Sequence, residues 1–204
     1  MAKLRVHNLA MSLDGYVAGP DQSEEDPLGV GAEQLHEWMF ASPRHEVDDR
    51  FVVAGDEGIG ATIMGRNMFG PIRGEWGERD WRGWWGQNPP YHHAVFVLTH
   101  HAHDPIEMDG GTTFHFVTDG IESALAQAIA AADGGDVRLG GGAETVRQYL
   151  RAGLVDELHV PVVPVLLGDG ERLFEDIGPP EDFEVVEFVS SPGVAHVRLV
   201  HATV

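Results

Sequence analysis

Apolar and polar positions alternate in part across residues 4–10, LRVHNLA, which predicts a first strand. The SLDGYVAGP stretch that follows has the glycines and proline of a long loop, and DQSEEDP extends it as an acidic surface segment. Leu35, Trp38 and Met39 share a helical face within residues 31–40. EVDDRFVVAGDEG predicts a second helix, with Phe51, Val52 and Ala54 inward and glycines at its end. ATIMG is a short apolar strand that runs straight into GRNMFG, AVFVLTH reads as a buried strand, and TTFHFVT as an alternating one. IESALAQAIAAADGG is a helix with a glycine stop, DVRLGGG a strand ending in a glycine turn, and AETVRQYLRAG a helix closed by Gly153. LVDELHVPVVPVLLGDGERLF gives a further strand and loop, and the tail predicts a hairpin turning at Ser191-Pro192-Gly193.

Strands that alternate with helices and end in a hairpin predict an open, mostly parallel α/β sheet with an antiparallel edge and helices on both faces. At 204 residues, with no internal repeat and no linker, the chain is expected to form one domain over residues 1–204. Residues 71–91 have no period and hold four of the five tryptophans. A connection of that length points to function. Trp76, Trp81, Trp84 and Trp85, with Tyr91 beyond, offer flat faces to cover a substrate ring, or they pack on the protein's own core or on a partner subunit.

Charge narrows the function. The formal net charge is -20, from 33 acidic and 13 basic residues, so phosphate backbones are repelled and nucleic acid is not an expected partner. No apolar run is long enough to cross a bilayer, and MAKLRVHNLAMSLDGY lacks a signal-peptide pattern, so no membrane partner is expected. The absence of cysteine removes disulfide and thiolate chemistry and fits a reducing compartment; a cytoplasmic location is expected. Of the 12 histidines, His92-His93 and His100-His101-Ala102-His103 fall together, but adjacent strand positions point to opposite faces and no HExxH spacing occurs. No metal site is expected. Basic residues are few, and Arg66, Arg73, Arg79 and Arg82 share one window.

The most informative stretch is Leu139-Gly140-Gly141-Gly142-Ala143-Glu144-Thr145-Val146. Three adjacent glycines lose much backbone entropy on folding, so their geometry must require them or the segment is only a flexible turn. The geometry that requires them is a backbone brought close to an anion at a helix N-terminus, where amides and the helix dipole bind phosphate without a lysine. The spacing differs from the dinucleotide fingerprint of parallel α/β proteins and from the Walker loop.

SLDGYVAG after the first strand, MGRNMF after a later one, NPPYHHAVFVLTHH, LGGGAETV before a helix and PVLLGDGERLF resemble, in order and spacing, the dihydrofolate reductase fold. More narrowly, the chain resembles the group containing the reductase domain of bacterial riboflavin biosynthesis, over essentially its whole length. That resemblance implies an NADPH-dependent reductase of a small heterocyclic substrate, like 5-amino-6-(5-phosphoribosylamino)uracil reductase or dihydrofolate reductase. A catalytically silent NADP-binding sensor or scaffold on the same fold is the alternative.

The resemblance also implies site residues. Gly65, Arg66, Asn67 and Met68 fall near the adenosine end of NADPH; Arg66 is then a forked donor to the 2'-phosphate, or else a surface ion-pair residue. Thr99, His100 and His101 flank that phosphate. Val17, Ala18 and Gly19 line the nicotinamide, and Leu139 to Thr145 hold the pyrophosphate. Asn8, Gln34 and Trp85 fall on the substrate side. Asp14 is the candidate acid, a carboxyl with a raised pKa facing the cleft, or else a turn residue bonding its own backbone. Met68 stands where relatives have threonine, Gln34 where folate reductases have a carboxylate, and Gly140 and Tyr16 where riboflavin reductases have Glu and a cation. Relatives of this fold often form homodimers, and a homodimer is expected.

Overall fold

The structure, a computed structural model, describes residues 2–71, 73–78, 80–178 and 183–202. Arg79, one of the four clustered arginines, lies outside the described residues.

In chain order the elements are β1 (Leu4–Val6), β2 (Met11–Ser12), β3 (Tyr16–Ala18), a 3-10 turn (Ala32–His36), α1 (Glu37–Phe40), α2 (Glu46–Asp56), β4 (Ile59–Gly65) and α3 (Arg66–Phe69). Then come β5 (Ala94–Leu98), β6 (Ile106–Glu107), β7 (Thr113–Val117), α4 (Ile121–Ala131), β8 (Asp136–Gly141) and α5 (Ala143–Arg151). The last are β9 (Glu157–Val163), β10 (Glu171–Arg172), β11 (Phe183–Ser190) and β12 (Ala195–His201). The main sheet runs β11-β12-β9-β1-β8-β4-β5-β7-β6, with β2 also on β9. From β9 to β7 its neighbours are parallel, while β12, β11 and β6 are antiparallel edges.

The two faces of this sheet differ in chemistry. Register places Leu4 and Val6 beside Val137 and Leu139, and these beside Ala61 and Ile63. Together with Leu158 and Val160 they form an apolar face, covered by Ala124 and Ala128 of α4 and by Val146 and Tyr149 of α5. Alanine at the α4 contacts lets its backbone approach the sheet closely, and α5 buries Ala143, Val146 and Tyr149 together with the polar Thr145 and Arg147.

The alternate positions are polar: Arg5 beside Arg138, Arg138 beside Thr62, and His159 beside Arg198. Helix α2 is pinned to this face by polar bonds. Arg5 donates to the carbonyls of Ala54 and Glu57 at 2.9 Å each, capping the helix C-terminus where the dipole favours a cation. Arg138 pairs with Asp56 at 2.7 Å, and His196 Nε2 meets Asp48 Oδ1 at 2.9 Å.

The helix expected over residues 31–40 is a five-residue 3-10 turn followed by four α-helical residues. A 3-10 turn repeats every three residues, so Ala32, Leu35 and then Trp38 enter the core, where Ala10, Val163 and Val194 receive them. The terminal hairpin turns where expected, with Ser191 N–H donating to the Val194 carbonyl at 3.0 Å. Among the described residues no helix is long and apolar enough to cross a membrane.

Candidate functional site

In a parallel sheet, the strand C-termini and the helix N-termini that follow them open on one edge. Here that edge holds a cavity of about 640 Å³, reached by the ends of β1, β8, β4, β5 and β7 through Leu9, Gly140, Gly65, Leu98 and Thr118. Its centre is the glycine segment. Gly141 has φ +124, a conformation that excludes a side chain, and the Gly141–Gly142 peptide is cis. A Cβ on Gly140 would press on the Met68 methyl at 3.2 Å, whereas one on Gly142 would meet open space. Helix α5 starts at Ala143 with no side-chain cap. Gly140, Gly141, Gly142, Ala143, Glu144 and Thr145 all line the cavity; Leu139, expected among them, does not, because strand alternation turns it into the core at 0% exposure. Burial would raise the Glu144 pKa, but Arg147 at 2.9 Å and Arg151 at 3.3 Å hold it below its ordinary value.

Beside the cradle, Gly65 packs so tightly on Thr145 that any side chain there would strike its hydroxyl. Arg66 follows, with Asn67 and Met68, and all three line the cavity. The Arg66 guanidinium donates to Thr99 Oγ1 at 3.0 Å and to the Gly74 carbonyl at 3.1 Å, and lies over the Trp76 ring at 3.3 Å. Thr99 Oγ1 in turn accepts from His101 N–H at 3.1 Å. His100, His101 and Arg73 complete this end of the cavity, and Glu75 meets His101 Nδ1 at 3.1 Å. Held on three sides, this forked cation has a fixed orientation at the cavity wall, in a protein whose net charge is strongly negative.

The other end is made by β3 and the loop after it. Val17, Ala18, Gln22, Pro27, Leu28 and His36 line it. Gly19 does not. Its expected place at the nicotinamide is taken by a structural one, because it packs against the Gly29 and Val30 backbone and donates to the Leu28 carbonyl at 2.8 Å.

Three substrate-side expectations are corrected by geometry. Asn8 takes φ 58 and turns its amide under α2, donating to the Phe51 carbonyl at 3.2 Å, while its neighbour Leu9 reaches the cavity. Gln34 is exposed and bonds back to the Gly31 carbonyl at 3.0 Å; two residues on, His36 reaches the cavity instead. Asp14 accepts from Ser12 Oγ at 2.6 Å, Leu167 N–H at 3.1 Å and Gly168 N–H at 2.8 Å. Led by the Ser12 bond, these contacts hold its carboxyl at about 2, opposite to the raised value a general acid needs, and it does not line the cavity.

The tryptophans of the loop differ in their surroundings. Trp76 and Trp81 pack with Met64, Phe69 and Phe114, and Trp81 donates to the Phe69 carbonyl at 3.0 Å. Trp84 and Trp85 line the cavity, Trp85 standing edge-on to Tyr91 at 5.1 Å.

Several lining residues escaped the reading of the sequence. Gln22 and Pro27 sit in a segment that looked like acidic surface, and no local signal distinguishes them. Thr118 and Gly120 lie between a strand and a helix, the position where such folds present ligand loops, so topology would have found them.

Comparisons with known proteins agree with this architecture. A stretch of 44 residues is 43% identical to the uncharacterized protein YyaP of Bacillus subtilis (strain 168), and spans 22% of this chain and 23% of that protein. A solved structure assigned to riboflavin biosynthesis in Shewanella sp. PV-4 superposes with a TM-score of 0.67 at 22% identity, covering 100% of both chains. The Thermotoga maritima diaminohydroxyphosphoribosylaminopyrimidine deaminase/5-amino-6-(5-phosphoribosylamino)uracil reductase gives 0.56 at 13% identity, over 98% of this chain and 57% of that one. Dihydrofolate reductase of Enterococcus faecalis, complexed with NADP(H), gives 0.54 at 17% identity, over 98% and 95%. The RibD C-terminal domain model matches residues 5–202; the chain therefore belongs to the RibD C-terminal domain family, on a dihydrofolate reductase-like fold.

Proposed function

We propose that the protein is an NADPH-dependent reductase of a small heterocyclic substrate. The observation that carries this reading is the single crevice joining an uncapped helix N-terminus with a glycine cradle, at Gly140 to Thr145, to a preoriented guanidinium at Arg66. That donor set fits an anionic dinucleotide: backbone amides of the first turn of α5 for a pyrophosphate, and Arg66 with Thr99 and Arg73 nearby for a further phosphate. Family membership and reductases of the same fold support it.

When bound, the nicotinamide supplies a hydride. The chain's part is to hold the reacting rings together and keep water out, which Val17, Ala18, Leu28, Trp84 and Trp85 suit by their apolar surfaces at the cavity wall. Asp14 has no place in proton delivery, given its three bonds to its own loops. The product proton comes from solvent or from another cavity group.

Spectrophotometric NADPH consumption with a panel of oxidised heterocycles tests the reading. Turnover with at least one ring supports a reductase. Cofactor binding without turnover of any ring would favour the silent sensor or scaffold.

A further inference from the structure

The apolar face of the main sheet outruns its cover. Helices α4 and α5 lie over β4, β5 and β8. Register carries the same face outward across β9, β12 and β11, in one row from Leu158 to Leu199 to Val185 and in the next from Val160 to Val197 to Phe188. Leu158 and Val160 are buried, whereas Val185 is 61% and Phe188 72% exposed. On the other side of β9, Met11 stands beside Val162, and alternation brings Leu13 to the same face. Val165 and Leu167 turn into the opposite cluster, which leaves Leu166 beside Leu13; the two are 72% and 65% exposed. Leu13, Leu166, Val185 and Phe188, with the half-buried residues between them, leave on the order of 700 Å² of apolar surface in water, more than the largest patch of an ordinary monomer.

We propose that this face, across β2, β9, β12 and β11, packs against the same face of a second copy to form a two-fold dimer. The area fits, since a stable interface buries roughly 800 Å² per partner. The charge fits as well. Alternation sends Glu184, Glu187 and Arg198 to the opposite face, so among the described residues of β9, β12 and β11 the uncovered face carries no Asp, Glu, Lys or Arg. At a net charge of -20, two copies approach with least repulsion through such a face. Pairing along the β11 edge is disfavoured, because that strand is bulged between Val185 and Glu187 and a bulge interrupts the ladder. Apolar sheet faces instead pack on one another about 10 Å apart, and the same patch on both partners closes the assembly at two.

Sedimentation equilibrium of the full chain tests it, in the wild type, Phe188→Glu, Leu13→Glu and Ile129→Glu, with circular dichroism to check folding. The wild type should be a dimer whose dissociation constant falls as salt screens its like-charged copies. Phe188→Glu and Leu13→Glu set a charge in the apolar face and should each raise that constant at least about thirtyfold, with the fold kept because both side chains are exposed. Ile129→Glu, on the exposed surface of α4, should leave it within about twofold. Leu13 also separates face packing from edge pairing, because β12 and β9 lie between the β11 edge and β2. A monomeric wild type would overturn the proposal, as would a mass that keeps rising beyond two copies. So would a dimer that either Phe188→Glu or Leu13→Glu leaves intact, or one that loosens as salt is added.

Discussion

Arg66 lies flat over Trp76, its guanidinium carbon 3.3 Å from the ring centroid, while its nitrogens reach Thr99 and Gly74. Stacking on one face and bonding along two edges fixes the plane of the fork before any ligand arrives. Arg66→Ala is therefore expected to weaken NADPH binding by about ten- to a hundredfold, the worth of a charge-assisted bond, and to leave NADH nearly unaffected. Arg66→Lys should recover only part of that loss, since a point charge can neither fork nor stack as well. Isothermal titration of both nucleotides reads the difference.

The glycine cradle makes the opposite pattern. Gly142 faces open space, so Gly142→Val would set a branched side chain where the pyrophosphate is proposed to sit. Affinity for NADPH and NADH should fall together, by at least about tenfold, because both carry that group. A loss confined to NADPH would place the pyrophosphate elsewhere.

Asp14 is a loop clamp, and its titration should appear in stability. Its folded pKa is about 2 against an ordinary 3.8, so the unfolded chain takes up the proton first as pH falls. The stabilisation is full above about pH 3.8 and is lost between 3.8 and 2. Asp14→Asn should lower the melting temperature near neutral pH, because an amide nitrogen in place of Oδ2 cannot accept from Gly168 N–H, yet spare NADPH binding and turnover. Turnover abolished with the melting temperature unchanged would restore Asp14 as a catalytic acid.

Much of the architecture was legible because it is written in local period and glycine placement. The change from DVRLGGG to AETVRQYLRAG marks both a strand-to-helix boundary and the centre of the cavity. The site's finer geometry depended on contacts distant in sequence. Asp14 looked like a cleft carboxyl until the loop at Leu167 and Gly168, some 150 positions later, came to bond it. Gln34 was placed by matching this helix to that of the folate reductases, but the segment opens as a 3-10 turn with a repeat of three, and His36 rather than Gln34 lines the cavity. Arg5 and Arg138 alternate with apolar residues in a way that reads as a solvent face, whereas α2 covers them and supplies the carbonyls and carboxylate they need.

That polar face sets an acid limit on stability. His159 Nδ1 accepts from Asn8 N–H at 3.3 Å, its Nε2 lies 3.1 Å from His196 Nδ1, and His196 Nε2 lies 2.9 Å from Asp48. The set is satisfied when both imidazoles are neutral, with each Nε2–H donating onward. Burial first, and then nearby cationic groups, hold His7 at about 3 and His159 at about 2, while burial lowers His196. Depressed histidine pKa values mean that the unfolded chain binds the extra protons below its ordinary 6.5. Unfolding free energy should be highest above about pH 6.5 and fall steadily as the pH drops below it, as urea titrations at a series of pH values would show. His196→Phe should cost about 2–3 kcal/mol at neutral pH, by stranding Asp48, and should flatten the acid slope.

The measurement that tests the central claim most directly is a titration of tryptophan fluorescence with NADPH and, separately, NADH at fixed salt. Trp84 and Trp85 line the cavity and Trp76 backs Arg66, so a dinucleotide bound there must change the signal. Saturable binding of NADPH with much weaker NADH is the predicted result. No binding of either nucleotide by protein shown to be folded would contradict the account and reduce the glycine cradle to a turn.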